Sequence, residues 1–160
     1  MTEALNPRTI LERWQREPTA FIAEVLRDPE TDQPFELLPA QKQFFAHAWS
    51  RNGDGRLLYP EQVYACPKKS GKTATAAMHL LTTSLLYGGP FAEAYAVAND
   101  FEQAQGRVFE ACRRIVEASP YLRREANITA NKITFPATGA SITASQTMYI
   151  NRTYIDVRKT

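Results

Sequence analysis

The run Cys66-Pro67-Lys68-Lys69-Ser70-Gly71-Lys72-Thr73 constrains this chain more than any other segment. A general phosphate-binding loop reads Gly, four residues, then Gly-Lys-Ser/Thr. The last three positions are intact here, and Cys66 stands at the first. The flanks suit a strand–loop–helix unit. Gln62-Val63-Tyr64-Ala65 reads as a short strand. Lys72 to Tyr87 reads as a helix, with Ala74, Ala77, Met78, Leu81 and Leu85 in an apolar stripe at helical spacing. Gly88-Gly89-Pro90 is a helix stop. That order aims backbone N–H groups and a helix N-terminus at one point, which suits a polyphosphate. On this reading Pro67, Lys68, Lys69, Ser70, Gly71, Lys72 and Thr73 form the nucleotide-binding loop. Lys72 would reach the β- and γ-phosphates, and the Thr73 hydroxyl would sit on Mg²⁺. The alternative is a basic turn between a strand and a surface helix.

The chain has 160 residues, enough for one domain with a real core. Hydrophobic residues at 44% and charged residues at 22% are ordinary for a globular protein. A net charge of +2 is too small to imply nucleic acid by itself. Cys66 and Cys112 make no disulfide framework, and a reduced cytosol fits them. No apolar run approaches the roughly 18 residues that span a membrane. The first residues show no signal-peptide pattern.

Three short helices precede the loop, over about residues 7 to 16, 18 to 28 and 39 to 50. Pro18 and Pro39 suit first-turn positions, because the missing N–H would be unpaired there anyway. After the loop and its helix, Ala94 to Ala98 reads as a buried strand. Asn99 with Glu102 is a capping-box pattern opening a helix that closes at Ser119-Pro120. Ile128-Thr129-Ala130 and Ile133-Thr134-Phe135 read as a hairpin across Asn131-Lys132, and Ala140 to Ala144 as a further strand. The tail from Ser145 to Thr160 yields no firm element. The expected fold class is α/β: a partial parallel sheet with crossover helices, a helical lead and a hairpin near the C-terminus. The organisation reads as a lead over 1–50, a core over 51–144 and a departing tail over 145–160.

Taken together, residues 10 to 144 resemble the ATPase domain of tailed-phage large terminases. Leu37-Leu38-Pro39-Ala40-Gln41-Lys42-Gln43-Phe44-Phe45 looks like that family's adenine-recognition segment. Cys66 to Thr73 looks like its phosphate loop, Ala96 to Ala104 like the strand-to-helix turn that follows, and Ile128 to Ala144 like the hairpin before its acidic motif. The resemblance implies a P-loop NTPase fold using ATP and Mg²⁺. It implies that Gln41 contacts adenine, for which a Gln amide offers both donor and acceptor. It implies a catalytic part for Lys72, and for Lys68 as a charge on the transferring phosphate. The intact motors pump double-stranded phage DNA into a procapsid, working with a portal and a small terminase subunit as a homo-oligomeric ring in the host cytoplasm.

The resemblance stops short of an acidic motif. A terminase carries an apolar strand ending in Asp, followed by Glu. Here the nearest match is Tyr154-Ile155-Asp156 with Val157 next, and a solvated tail is the competing reading. A frameshift or early stop after Ala144 would account for the change of texture. Downstream DNA would then encode the missing motif. The expectation is therefore an ATPase-derived fragment. The alternatives are another P-loop NTPase of helicase type and an inert nucleotide-binding remnant. Trp14, Trp49, His47 and His79 read as packing or surface residues.

Overall fold

The computed structural model describes residues 7–98, 105–146 and 154–158. Helices α1 (Pro7–Arg16), α2 (Pro18–Val25) and α3 (Pro39–Ala48) form the lead. Helix α4 (Lys72–Thr82) follows the loop and widens into a π-turn over Thr83–Tyr87. Strand β1 (Glu93–Ala98) comes next, then a π-turn over Gln105–Phe109 that runs into α5 (Glu110–Ala118). A short helix α6 (Pro120–Glu125) leads to β2 (Asn127–Ile128), β3 (Lys132–Phe135), β4 (Ala140–Gln146) and β5 (Tyr154–Arg158). Helices α1, α2, α3 and α6 each begin on a proline, where the fixed φ and missing N–H cost nothing.

The strand order is β2-β3-β4-β1-β5. Among the described residues only β1 and β4 pair in parallel, from Glu93 opposite Ser141 to Ala98 opposite Gln146. The helices between them make the crossover that parallel strands require. The pairs β2–β3 and β3–β4 are antiparallel, which gives the expected hairpin. Buried Ile22, Phe45, Met78, Leu81 and Phe109 from the helical segments, with Leu26 just after α2, meet Ala94, Ala96, Ile133 and Ile142 of the sheet in one core.

Two expectations need correcting. Gln62 to Ala65 is not a strand. It joins no ladder with the described residues, and a strand without a ladder partner is only an extended segment. Its alternation survives: Gln62 and Tyr64 face inward, while Val63 is 92% exposed. The sheet is mixed rather than parallel, because β1–β5, β2–β3 and β3–β4 pair antiparallel. The second correction concerns the tail. Tyr154–Arg158 is strand β5, antiparallel to β1 with Asp156 opposite Tyr95. The outer edge of β1 offers unpaired backbone groups, and β5 takes them up. Helix α6 was not expected either, although Pro120 stands in its first turn.

Helix α1 buries no residue fully and is held by polar contacts together with the half-buried Trp14 ring. Arg13 pairs with Glu24 of α2, and Trp14 donates to the same carboxylate at 2.9 Å. The Arg13 hydrogen bond holds the Glu24 carboxyl below its usual value, against the opposing effect of burial. Gln15 Nε2 donates to the Leu86 carbonyl at 2.7 Å, and the Tyr87 hydroxyl donates back to the Gln15 carbonyl at 2.9 Å. The lead thus closes onto the far end of α4, and α3 closes onto its near end.

Candidate functional site

The near end of α4 is where the loop residues converge. The Pro67 carbonyl accepts the Ser70 N–H at 3.4 Å and the Ser70 hydroxyl at 2.5 Å, which makes a turn. Lys69 and Gly71 both lie in the left-handed region, at φ 67° and 75°. Glycine takes that conformation freely, whereas a side chain is strained by it. Gly71 is the N-cap of α4, and no side chain caps the helix. The first N–H groups of a helix have no helical acceptor, so this end faces out with unsatisfied donors. Lys68, Lys69, Lys72 and Thr73 are exposed around it. None of the three lysines joins an ion pair among the described residues. Uncapped donors and unpaired cations at one helix end form a site that attracts anions.

Gln41 stands behind this end. It is only 7% exposed, which excludes the solvated glutamine of an ordinary surface helix. Its Oε1 accepts the Leu38 N–H at 2.9 Å, and its Nε2 donates to Thr75 Oγ1 at 2.8 Å. The Thr75 hydroxyl donates to the Gly71 carbonyl at 3.1 Å, and the Thr75 N–H reaches the same oxygen at 2.9 Å. A Cβ built on Gly71 would lie 3.8 Å from Gln41 Nε2. The protein brings the start of α3 and the start of α4 into direct contact, and the observed partners of Gln41 are Leu38 and Thr75. The sequence reading missed Thr75. A threonine four residues after the loop glycine was the available signal, since a helical Thr hydroxyl can bond the carbonyl at i−4.

Behind Gln41, α3 and α4 share an aromatic wall. Phe45 and Trp49 stack at 4.7 Å with rings 8° apart, and Trp49 lies 5.2 Å from the His79 ring. Burial lowers the His79 pKa to about 4, so the ring is neutral near pH 7, and its Nδ1 is enclosed without a partner. Trp14 packs edge-on against Phe21 at 5.4 Å. These rings are packing groups, as the sequence suggested. Among the described residues no cluster of His, Cys, Asp or Glu could hold a metal ion. Thr73 is exposed at the start of α4. Asp156 lies mid-strand in β5, not at a strand end. The Asn99–Glu102 capping pattern falls outside the described residues.

No helix among the described residues is long and apolar enough to cross a membrane. No protein-family model matches the chain, and no curated protein matches it. Among solved structures, the chain is similar to the large terminase of bacteriophage HK97, at a TM-score of 0.69 and 23% identity. The likeness covers 82% of this chain and 27% of that one, so the chain spans about a quarter of the solved protein. The described residues therefore have the mixed α/β fold of one part of a phage large terminase.

Proposed function

We propose that this chain is the nucleotide-binding part of a terminase-type motor and holds Mg-ATP at the N-terminus of α4. The observation that carries the reading is the uncapped start of α4 at Gly71, ringed by Lys68, Lys69 and Lys72 without ion-pair partners among the described residues. The likeness in fold to a large terminase supports the same choice. In this reading the loop N–H groups and Lys72 hold the β- and γ-phosphates. Thr73 shares the Mg²⁺, and Lys68 offsets charge on the terminal phosphate. Magnesium, when bound, would screen the phosphate charges. Double-stranded DNA, a portal and a small terminase subunit are the partners proposed for the whole motor.

A module that binds nucleotide without hydrolysing it is the second reading. It is favoured by Asp156, which lies inside β5 with Val157 after it instead of Glu. A helicase-type ATPase has no specific observation in its favour. Calorimetric titration with Mg-ATP, beside an assay of phosphate release, separates these readings. Binding with phosphate release supports the motor ATPase. Binding without release supports the second reading. Lys72→Ala should weaken binding roughly tenfold or more, the equivalent of a lost bond to a charged group. Equal affinity in the wild type and Lys72→Ala would sink both readings.

A further inference from the structure

Building on the phosphate-site reading, we infer that Gln41 acts through Thr75 and Gly71 as a positioning residue for the phosphate loop, not as a reader of the base. Its amide oxygen accepts the Leu38 N–H and its NH₂ donates to Thr75 Oγ1, and the remaining N–H and lone pair belong to a side chain buried away from an incoming base. Gln41 is 7% exposed and Thr75 is fully buried, so water does not compete for either group.

The orientation of the amide is fixed by chemistry at both ends. A hydroxyl has one hydrogen, and that of Thr75 lies on the Gly71 carbonyl. Among the described residues the donor to the Thr75 lone pairs is the Gln41 NH₂. At the other end, among the same residues, the acceptor of the Leu38 N–H is the Gln41 oxygen. Turning the amide over would break both bonds at once.

The consequence appears on the far side of one peptide bond. The Gly71 C=O and the Lys72 N–H belong to the same planar trans unit and point in opposite directions. Thr75 draws that carbonyl into α4 with both its N–H and its hydroxyl. The Lys72 N–H is thereby aimed out of the helix end, toward the anion. Gln41 holds Thr75 in the rotamer that does this. Two helices, α3 and α4, are locked together at the point where phosphate would bind.

The test uses the whole chain and three ligands: Mg-tripolyphosphate, which has no base, Mg-ATP and Mg-GTP. Gln41→Ala should weaken tripolyphosphate and ATP by the same factor, roughly tenfold. Thr75→Val should do the same, the double variant should lose no more than either single one, and Thr75→Ser should restore affinity. The Lys72 amide resonance should shift in Gln41→Ala and Thr75→Val without any ligand. Should Gln41→Ala fail to fold, the near-isosteric Thr75→Val carries the test. The inference is overturned if Gln41→Ala weakens ATP while tripolyphosphate binds as before, or if the two single losses add in the double variant. A wild-type chain that binds none of the three ligands would overturn the phosphate site itself.

Discussion

The indole N–H of Trp49 donates to Thr83 Oγ1 at 3.0 Å, joining the C-terminal end of α3 to the π-turn that finishes α4. Trp49 is 6% exposed, so water offers its N–H little alternative. Thr83→Val keeps the shape and removes the acceptor. It should cost about 1–3 kcal/mol, the penalty for a buried donor left unpaired. Thr83→Ser should cost much less. Urea melts of the two variants check this, and a Thr83→Val protein as stable as the wild type would show the bond to be worthless.

The His79 ring makes stability depend on pH. Burial holds its folded-state pKa at about 4, below the ordinary value of 6.5. Above pH 6.5 both states are neutral and His79 contributes no pH dependence. As pH falls below that value, the unfolded chain takes up a proton that the folded chain refuses, so stability drops. The loss should reach about 2 kcal/mol near pH 5 and level off below the folded pKa. His79→Phe should remove this component. Melts of both proteins near pH 7.5 and pH 5 are sufficient, and equal pH sensitivity in the two would count against the buried neutral ring.

Two glycines should respond differently to alanine. A Cβ on Gly88 would lie 2.4 Å from Ala92 Cβ and 2.6 Å from the Ser84 carbonyl oxygen. The backbone there cannot move aside without opening the turn between α4 and β1. Gly88→Ala should therefore destabilise by about 1–3 kcal/mol, as overpacking does. A Cβ on Gly53 meets nothing within 4 Å, and Gly53→Ala should be close to neutral. Chemical denaturation of the pair tests the packing of this turn.

Where local chemistry and tertiary packing agree, the sequence was legible. Of the stripe Ala74, Ala77, Met78, Leu81 and Leu85, the middle three are buried and the two ends half-buried. The apolar run Ala94 to Ala98 predicts β1, which is Glu93–Ala98. The run Gln62 to Ala65 has the period of a strand, but period alone does not supply a neighbour to bond with. The opposite failure occurred at Tyr154–Arg158. Its composition is weakly apolar, and it becomes a strand because β1 presents an edge beside it. At the candidate site, Gly71 and Lys72 could be read directly from spacing. Thr75 could not, because its importance lies in a bond to Gln41, 34 residues away in sequence.

The most direct test of the account is a thermal melt of the chain with and without Mg-ATP, run beside Lys72→Ala. A ligand that binds only the folded state adds about 2.7 kcal/mol at a concentration 100-fold above Kd. A clear rise in Tm is expected for the wild type and little or none for Lys72→Ala. An unchanged Tm in the wild type, or an equal rise in both proteins, would contradict it.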